Sequence, residues 1–584
     1  MNGKTTRNRE HLMKREENPI IEFRDFGFQY FSQAEPTLYD INLKIYPGEK
    51  ILIVGPSGSG KSTIGHCING LIPNSYRGEI TGTLFINGKD TKGSSIFDRS
   101  EQVGTVLQDS DGQFVGLTAG EDIAFALEND RVPTDRMREI VEKTAKIVKI
   151  DQHLKASPFE LSGGQKQRVS FAGVMVDDVD ILLFDEPLAN LDPATGKTAI
   201  ALIDDVWKEY HKTVVIIEHR LEDVLYRDVD RVVVVNDGRI VADMSPDELM
   251  ATDILPGLGI REPLYVTAMK YAGVKVTPEM KAGRIDTLDI TDAKEPLLAW
   301  YSQDVAPAPA NDRPPMLEAR NVTFGYTSRR TTLEDISFTV REGEMVSIVG
   351  TNGAGKTTLA KLICGFEKID QGALYYKGED MADRTIKERS RKIGYVMQNP
   401  NQMICKPMIY DEVALGLRYA GVDEDTIREK VEHALKICGL YPFRNWPLSA
   451  LSFGQKKRVT IASILVMDVE LLILDEPTAG QDYRHYTEIM EFLKSLNDRG
   501  ITIIIITHDM HLMLEYTTRA IVLSGKRKLG DTTPVEVLTD KELTEKADLK
   551  VTSLYELALK LGADDPTAFA DHFIRYETER GRAV

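Results

Sequence analysis

Short, unbroken apolar runs recur along the chain, and between them apolar residues return with helical spacing. Each run holds about four β-branched or leucine residues, a pattern typical of strands buried on both faces of a parallel sheet. Thr134–Ile150 and Asp425–Gly439 carry the helical pattern. The pattern therefore predicts an α/β sandwich that occurs twice. The apolar runs are Ile51–Val54, Ile181–Phe184, Val214–Ile217, Val346–Val349, Leu471–Leu474 and Ile503–Ile506.

The second half of the sequence repeats the first at a period of about 290 residues, far longer than a solenoid repeat. GPSGSGKST at Gly55–Thr63 returns as GTNGAGKTT at Gly350–Thr358. LSGGQKQRVS returns as LSFGQKKRVT, and ILLFDEP returns as LLILDEP. A Leu-Tyr pair at positions 264 and 265 returns at 554 and 555, so each half is expected to carry its own small C-terminal subdomain.

A proline- and alanine-rich stretch at Ala306–Pro315 separates the two halves. Its four prolines block regular structure and favour an extended spacer. The expected boundaries are a flexible tail over 1–18, a large domain over 19–255, a subdomain over 256–306, a linker over 307–315, a second large domain over 316–535 and a second subdomain over 536–584.

The composition is that of an ordinary globular protein, with 42% hydrophobic and 28% charged residues. The formal net charge of −18 argues against general binding to nucleic acid, which needs clustered positive charge. The four cysteines show no CxxC spacing, which favours a reducing compartment. No apolar run approaches the ~18 residues that cross a bilayer, and the N-terminal residues lack a secretory signal pattern. If the protein serves a membrane, we expect it to do so through a partner.

Two glycine-rich segments have the form of a phosphate-binding loop. Gly55-x4-Gly60-Lys61-Ser62 follows a predicted strand and precedes a predicted helix, as this loop requires. The glycines let the backbone wrap around phosphate oxygens, and the helix N-terminus adds partial positive charge. The lysine is expected to reach the β- and γ-phosphates, and the hydroxyl to bind Mg²⁺. The segment that begins at Gly350 repeats every feature, with Lys356 and Thr357.

Two acidic pairs end apolar strands. Asp185 and Asp475 are expected at the C-terminal edge of each sheet, where open α/β sheets bind ligands, and each can hold Mg²⁺ through water. Glu186 and Glu476 follow directly and are placed to polarise an attacking water. A surface acidic pair that merely ends a strand is the alternative interpretation, and the preceding phosphate loops argue against it.

LSGGQ at Leu161–Gln165 resembles the signature of ATP-binding cassette (ABC) ATPases. The order phosphate loop, glutamine, signature, Asp-Glu and histidine extends this resemblance over nearly the whole chain in two copies. The resemblance implies two tandem ABC-type P-loop domains of α/β fold. It also implies a head-to-tail pair in which each signature closes over the nucleotide of the other half. One composite site would join Lys61 with Ser452 and Gly454, and the other would join Lys356 with Ser162 and Gly164.

The resemblance assigns further residues to these sites. Gln108 and Gln398 match the glutamine that contacts Mg²⁺ or the attacking water, and His219 and His508 match the histidine that senses the γ-phosphate. Two histidines at equivalent repeat positions favour function over a structural role. The residues implied in ATP binding are Tyr30, Gly55, Pro56, Ser57, Gly58, Ser59, Gly60, Lys61, Ser62, Thr63, Ser162, Gly163, Gly164, Gln165, Asp192, Tyr326, Gly350, Thr351, Asn352, Gly353, Ala354, Gly355, Lys356, Thr357, Thr358, Ser452, Gly454, Gln455 and Asp482. The implied magnesium ligands are Ser62, Gln108, Asp185, Thr357, Gln398 and Asp475.

The second half departs from the family pattern in two places. Its signature reads LSFGQ, with Phe453 where the first has Gly163, and its aspartate loop reads AGQD instead of ANLD. A phenylalanine leaves less freedom for close backbone approach. We expect the site that pairs Lys61 with Ser452 to work, at lower efficiency. Since neither half has lost its lysine, its Asp-Glu pair or its histidine, two hydrolytic sites are predicted.

The segments after the two glutamines resemble the ATPases of energy-coupling factor (ECF) importers. Each has Asp or Asn, a second glutamine and then a helix that begins with acidic residues. The resemblance implies a transmembrane coupling (T) component, a small substrate-binding (S) membrane protein and a peripheral location on the cytoplasmic side of the membrane. Such importers carry vitamins or metal ions, and fused pairs of this kind resemble importers of thiamine precursors. The C-terminal subdomains also fit this family, which uses them in dimer contact.

The acidic residues near the glutamines have two interpretations. Their carboxylates are able to accept arginines of the coupling component as charge-assisted hydrogen bonds, or they stabilise the start of a helix. The residues are Asp109, Asp111, Glu121, Asp122, Asp411 and Glu412.

Two other functional classes remain as alternatives. One is the fused ATPase of a peptide or sugar ABC importer. The other is a tandem-cassette translation factor that binds ribosomes. That class has a charged helical linker between its cassettes, whereas prolines interrupt the corresponding region here and it has no basic run.

Overall fold

A computed structural model describes residues 18–107, 111–189, 191–303, 305, 312–327, 331–479 and 481–580. The chain forms two compact units that divide between Trp300 and Tyr301, and the short segment 192–194 is grouped with the second unit. We call these units the first half and the second half and describe each by itself. Most of the expected 1–18 tail and most of the 307–315 linker lie outside the described residues.

The first half contains two sheets. A four-stranded antiparallel sheet has the order β2-β1-β4-β5, and a six-stranded sheet has the order β10-β9-β3-β8-β7-β6, in which only the β9–β10 pair is antiparallel. In its central strand, Ile53 lies opposite Ile217 on one side and Val233 on the other. The strands are β1 Ile21–Tyr30, β2 Leu38–Ile45, β3 Lys50–Val54, β4 Gly78–Ile86, β5 Lys89–Asp90, β6 Val103–Val106, β7 Ile181–Asp185, β8 Thr213–Ile217, β9 Arg231–Asn236 and β10 Arg239–Met244.

Helices connect these strands and continue into the region after β10. The described helices of the first half are α1 Lys61–Ile68, α2 Leu71–Asn74, α3 Ile96–Ser100, α4 Ala119–Asn129, α5 Thr134–Ile147, α6 Gly163–Met175, α7 Pro193–Tyr210, α8 Leu221–Val224, α9 Pro246–Met250, α10 Ile254–Gly257, α11 Leu264–Tyr271 and α12 Lys294–Tyr301. Short 3-10 turns lie at Asp111–Gln113, Asp151–His153, Pro158–Glu160 and Pro278–Met280.

The second half repeats the two sheets, with the orders β12-β11-β14-β15 and β16-β17-β18-β13-β19-β20. Ile348 of its central strand lies opposite Ile506 and Ile521, the same register as in the first half. The strands are β11 Pro315–Phe324, β12 Leu333–Arg341, β13 Met345–Gly350, β14 Gln371–Tyr376, β15 Glu379–Asp380, β16 Ile393–Val396, β17 Leu471–Asp475, β18 Thr502–Ile506, β19 Arg519–Ser524 and β20 Arg527–Thr532.

The described helices of the second half follow the same order, without a counterpart of α2. They are α13 Lys356–Cys364, α14 Ile386–Arg389, α15 Ile409–Tyr419, α16 Glu424–Ile437, α17 Phe453–Leu465, α18 Tyr483–Asp498, α19 Met510–Tyr516, α20 Pro534–Thr539, α21 Lys541–Lys546, α22 Ser553–Leu561 and α23 Pro566–Arg580. The 3-10 turns are Pro400–Gln402, Tyr441–Phe443 and Leu448–Ala450.

The apolar runs that the sequence singled out form the buried centre of each six-stranded sheet. Every residue of β3, β7 and β8, and likewise of β13, β17 and β18, is buried. The predicted α/β class, present twice, is confirmed. One face of each six-stranded sheet packs against the four-stranded sheet and the phosphate-loop helix of the same half. Ligands of open α/β sheets bind at the turns that follow the carboxyl ends of the parallel strands.

The Leu-Tyr repeat lies on helices in both halves, since Leu264 begins α11 and Leu554 lies in α22. Tyr265 is buried and donates a hydrogen bond to the carbonyl of Ala282 at 2.9 Å. Among the described helices, none combines the length and the apolar content that a membrane span requires.

Candidate nucleotide-binding and hydrolysis site

The phosphate loop of the first half connects β3 to α1. Gly60 caps α1 with φ 103°, a left-handed conformation in which a side chain is strained. The loop therefore curls so that the first helical residue, Lys61, points back across it. Its Nζ donates to the carbonyls of Gly55 and Pro56, both at 2.8 Å. The buried ammonium thus lies against two loop carbonyls at the N-terminus of α1, and helix N-termini attract phosphate oxygens.

The phosphate loop of the second half has the same geometry between β13 and α13. Gly355 caps the helix with φ 96°, and Lys356 Nζ donates to the carbonyls of Gly350 and Thr351 at 2.8 and 2.9 Å. Burial lowers the pKa of Lys356 from its usual value, while the charge of Glu476 opposes that shift. The two loops therefore present the same preformed anion-binding surface.

A hydroxyl and a carboxylate lie side by side at the end of each loop. Ser62 Oγ lies 3.4 Å from Asp185 Oδ1, and Thr357 Oγ1 donates to Asp475 Oδ2 at 2.9 Å. Burial, with the neighbouring Glu186, raises the pKa of Asp185 to about 6, and burial raises the pKa of Asp475. These oxygens are the hard donors that Mg²⁺ prefers when it shares its coordination sphere with substrate phosphates. Among the described residues, no cluster of three acidic, histidine or cysteine side chains forms a separate metal site.

The glutamates after these aspartates adopt an unusual backbone conformation. Glu186 and Glu476 have φ of 49° and 46°, which is rare for a residue other than glycine. Each is held there because its amide donates at 2.9 Å to the last residue of the adjacent strand, Ile217 or Ile506. Strain of this kind is found at functional sites and supports a role for these side chains.

The two histidines lie beside these glutamates, at different distances in the two halves. His508 Nδ1 is 2.7 Å from Glu476 Oε1, with both side chains largely buried. His219 Nδ1 is 3.9 Å from Glu186 Oε1 and lies closer, at 3.4 Å, to Glu218 Oε2. The structure therefore brings each predicted histidine to its predicted glutamate, but only the second half has a direct hydrogen bond.

The predicted adenine-stacking tyrosines lie at the end of β1 and just after the end of β11, the second strand of each four-stranded sheet. Tyr30 at the end of β1 shares a 3.2 Å hydrogen bond with Thr63, and Tyr326 shares one of 3.3 Å with Thr358. In both halves the tyrosine is thus tied to the first turn of the phosphate-loop helix. Tyr326 remains 51% exposed, which leaves its ring accessible to a base.

The two signatures form helix caps. Ser162 caps α6: its hydroxyl accepts from the amide of Gln165, whose side chain accepts from the amide of Ser162 at 2.9 Å. Ser452 and Gln455 form the same capping box on α17. Each signature therefore begins a helix with a capping box. The anion site expected at that helix N-terminus stays a prediction.

Phe453 fits this helix start without distorting it. A Cβ added at Gly163, the matching position of the first half, meets within 4 Å only Leu191, at an ordinary distance of 3.6 Å. The Phe453 side chain is 39% exposed. The effect of this departure is therefore on what approaches the signature and not on the signature's own fold.

Of the two predicted glutamines, the structure describes only Gln398. Gln108 lies outside the described residues. Gln398 follows β16 and is exposed, and its backbone carbonyl accepts a hydrogen bond of 2.8 Å from Lys457 Nζ. Asp192 directly precedes α7 and is buried, and Asp482 caps α18 by accepting from the amide of His485 at 2.8 Å.

The acidic residues near the glutamines have partners inside the chain. Glu121 accepts from the amides of Leu117 and Thr118, and Asp122 accepts from those of Val115 and Gly116. In the second half, Glu412 is buried and accepts from the amides of Cys405 and Lys406, while Asp411 pairs with Arg418. These contacts favour the helix-start interpretation over partner-binding arginines. Asp109 lies outside the described residues, as does the side chain of Asp111.

Sequence reasoning missed three residues next to the site, of which Lys457 and Glu218 are buried and Tyr395 is half-buried. Lys457 of α17 donates to the carbonyls of Met397 and Gln398, both at 2.8 Å, and burial lowers its pKa to about 8. Tyr395 of β16 donates to Asp475 at 3.0 Å. Glu218 follows β8 and is fully buried. The available signal was a difference between the halves at equivalent positions. Lys457, Tyr395 and Glu218 lie where the other half has Gln167, Thr105 and Thr507, in that order.

The fold and these contacts define a protein with two P-loop nucleotide-binding domains of the α/β class. A family model described as ABC transporter matches residues 38–189 and 333–479, more than half of the chain. A second model, described as an ATP-binding cassette cobalt transporter, matches residues 252–324, and a model for an AAA domain of the AbiEii toxin type matches residues 444–515. The chain belongs to the ABC transporter ATP-binding family, whose members are ATPases coupled to transport.

Relatives of similar length support this assignment. A Clostridium perfringens protein named as an ABC transporter ATP-binding protein is 58% identical over 562 residues, covering 96% of this chain and 99% of that protein. An Enterococcus faecalis protein with the same name is 57% identical over 564 residues, with the same coverage. The solved structure of cbiO1 from Clostridium perfringens, part of the ABC transporter complex cbiONQ, is 34% identical over 40% of this chain and 95% of that chain, with a TM-score of 0.38.

Proposed function

We propose that the chain is the ATPase subunit of an ECF-type importer and hydrolyses two ATP molecules at sites shared between its halves. The observation that carries this proposal is the double occurrence of one complete set of groups with the same local geometry. Each half has a phosphate loop with a buried lysine, a hydroxyl–carboxylate pair, a strained glutamate beside a histidine, and a capped signature helix. A chain that had kept one site for regulation alone would be expected to have lost at least one of these groups.

In the proposed mechanism each lysine exchanges the carbonyls of its own loop for phosphate oxygens. Lys61 and Lys356 donate to two carbonyls each, so the ammonium is already desolvated and oriented before nucleotide binds. Tyr30 and Tyr326 are held at the end of the same helix and stack on adenine. The opposite signature, through Ser452 and Gly454 or through Ser162 and Gly164, adds its helix N-terminus to the γ-phosphate.

Hydrolysis is assigned to the strained glutamates. Glu186 and Glu476 orient and polarise the attacking water, an effect worth about 10²–10⁴ in rate for a positioned base. His219 and His508 keep each glutamate aligned with the γ-phosphate. Gln108 and Gln398 contact the attacking water. Magnesium, held by Ser62 with Asp185 and by Thr357 with Asp475, would neutralise phosphate charge. Loss of the γ-phosphate then releases each signature and reopens the pair of halves.

The importer class rests on two supporting observations. Residues 252–324 match the model described as an ATP-binding cassette cobalt transporter, and the segments after both glutamines have the ECF-type pattern given above. We propose a transmembrane coupling component and a small substrate-binding membrane protein as partners, at the cytoplasmic face of the membrane. The substrate class is a vitamin or a metal ion.

Uptake in cells tests this proposal. The chain is produced together with the membrane proteins that co-purify with it, and uptake of labelled Co²⁺ and of a labelled thiamine precursor is compared between wild type and Glu186→Gln/Glu476→Gln. We expect at least one of the two to enter cells about tenfold faster with wild type, since both hydrolytic centres drive transport. Uptake of peptides or sugars instead would favour the other importer class. Association with ribosomes and no membrane protein would contradict the proposal.

A further inference from the structure

A buried carboxylate in the first half joins the two turns that carry the glutamate and the histidine. Glu218 follows β8 and has no exposed surface. Its Oε1 accepts from the amide of Leu188 at 3.1 Å, in the turn that begins at Glu186. Its Oε2 accepts from the amides of His219 and Arg220 at 2.7 and 3.0 Å. Because one buried side chain accepts hydrogen bonds from the amides of both turns, it holds the two turns together.

The second half lacks this device. Thr507 occupies the matching position, and its hydroxyl accepts from the amide of Asp509 at 2.9 Å, within its own turn. A threonine side chain is two bonds shorter than a glutamate and does not span the gap between two strand ends. The histidine contacts differ accordingly: His508 touches Glu476 at 2.7 Å, whereas His219 lies 3.4 Å from Glu218 and 3.9 Å from Glu186.

We propose that Glu218 is a positioning residue for ATP hydrolysis in the first half. It fixes the Glu186 turn relative to the His219 turn and keeps the His219 ring apart from Glu186 until nucleotide binds. In the second half, the direct contact of His508 with Glu476 joins the two turns instead. The inference rests on the proposed function, because it assumes that Glu186 and His219 serve hydrolysis.

The surrounding charges agree with this assignment. Burial raises the pKa of Glu186, the nearby His219 opposes that shift, and the charge of Glu218 adds to it. Glu218 therefore affects Glu186 through space as well as through the backbone. Because Glu218 lies behind the two turns and makes its bonds to their amides, it acts on the reaction only through its neighbours.

A double-mutant cycle in the full-length chain tests the proposal. Glu476→Gln silences the second half, so that ATP turnover reports the first. In that background, Glu218→Thr copies the second half and is expected to lower kcat about tenfold, with KM for ATP changed less than about twofold, because misplaced catalytic groups affect turnover more than binding. When His219→Ala is added, the same substitution is expected to cost less than about twofold, since coupled residues are not additive.

Two outcomes would overturn the proposal: an unchanged kcat in Glu218→Thr, or an equal loss with and without His219, which marks a purely structural role. If Glu218→Thr does not fold, Glu218→Gln carries the test. The glutamine side chain keeps one acceptor oxygen and loses the other. We therefore expect kcat to fall about threefold, with the same dependence on His219. Thr507→Ser, in a Glu186→Gln background, is the matched control and should leave turnover unchanged.

The design separates this inference from the proposed function. If Glu476→Gln hydrolyses ATP no faster than Glu186→Gln/Glu476→Gln, the first half is not hydrolytic and both are overturned. If first-half hydrolysis is present but independent of the Glu218–His219 pair, only the inference about Glu218 is overturned.

Discussion

The two halves build the same phosphate loop and the same strained glutamate but place opposite charges beside them. In the first half the additional buried residue is Glu218, which ties two turns together through three amides. In the second half it is Lys457, which donates to two carbonyls at the end of β16. Neither charge lies in a recognised motif. The comparison teaches that the motifs define the shared chemistry, whereas their buried neighbours distinguish the two centres.

The same contrast appears in the signatures and in the histidines. The first half has an LSGGQ cap and a histidine held away from its glutamate, and the second has an LSFGQ cap and a histidine in direct contact. The two halves share the same sheet topology and differ at these side chains. The two centres are therefore expected to work at unequal rates.

The largest expected effect concerns the glutamates. Together, Glu186→Gln and Glu476→Gln should lower ATP hydrolysis by about 100-fold or more, the loss typical of a positioned base. Singly, Glu476→Gln should cost more than Glu186→Gln, because Phe453 slows the site that contains Lys61. Steady-state phosphate release measures both, and Phe453→Gly should bring the two single variants closer together. If Glu186→Gln and Glu476→Gln retained equal ATPase activities, the idea of unequal centres would be contradicted.

A smaller effect is expected for the buried lysine of the second half. Lys457→Met removes the donor to two carbonyls and should destabilise the loop after β16 by about 2 kcal/mol, the cost of leaving buried acceptors unpaired. Hydrogen exchange of peptides that cover residues 393–406 measures this local change. The matched control is Gln167→Met in the first half, which loses a bond to the carbonyl of Pro187 and should leave this peptide unchanged. Unchanged exchange in Lys457→Met would show that the ammonium does not hold the loop.

The smallest effect concerns Asp177, where the second half has Met467. Burial, with the charge of Asp130, raises the pKa of Asp177 to about 6, and its Oδ1 is buried without a hydrogen-bond partner. Between pH 4 and 6 the folded state retains a proton that the unfolded state releases, so this residue destabilises the fold increasingly as pH rises and fully above 6. After allowance for solvent screening, Asp177→Asn should stabilise the first half by about 1 kcal/mol at pH 7.5.

Thermal unfolding at two pH values checks this sign. The gain from Asp177→Asn should be larger at pH 7.5 than at pH 5, where the carboxyl is partly protonated in the wild type. Asp178→Asn is the control, because that neighbour is exposed and pairs with Lys212 at 2.7 Å. If Asp177→Asn stabilised the protein equally at both pH values, the charge of Asp177 would not be the cause of the stabilisation.

Much of this architecture could be predicted from the sequence, since it follows from periodicity and glycine placement. The six apolar runs lie in the central strands within one residue of their predicted bounds, and Ser162 and Ser452 cap helices where expected. The predicted helix over Thr134–Ile150 ends at Ile147. Glu218 and Lys457 were not predicted, because the Leu188 amide that Glu218 binds and both carbonyls that Lys457 binds are backbone groups distant in sequence. The positive φ of the two glutamates likewise depends on an adjacent strand that no local pattern reveals.

Counting the nucleotides that one chain retains tests the central claim most directly. Glu186→Gln/Glu476→Gln is incubated with Mg²⁺ and labelled ATP, freed of unbound nucleotide, and the ATP that remains with each full-length chain is quantified. Two functional centres predict two molecules of ATP per chain, and one fewer after either Lys61→Ala or Lys356→Ala. Retention of a single ATP, lost with one of the lysine variants and unaffected by the other, would contradict the account.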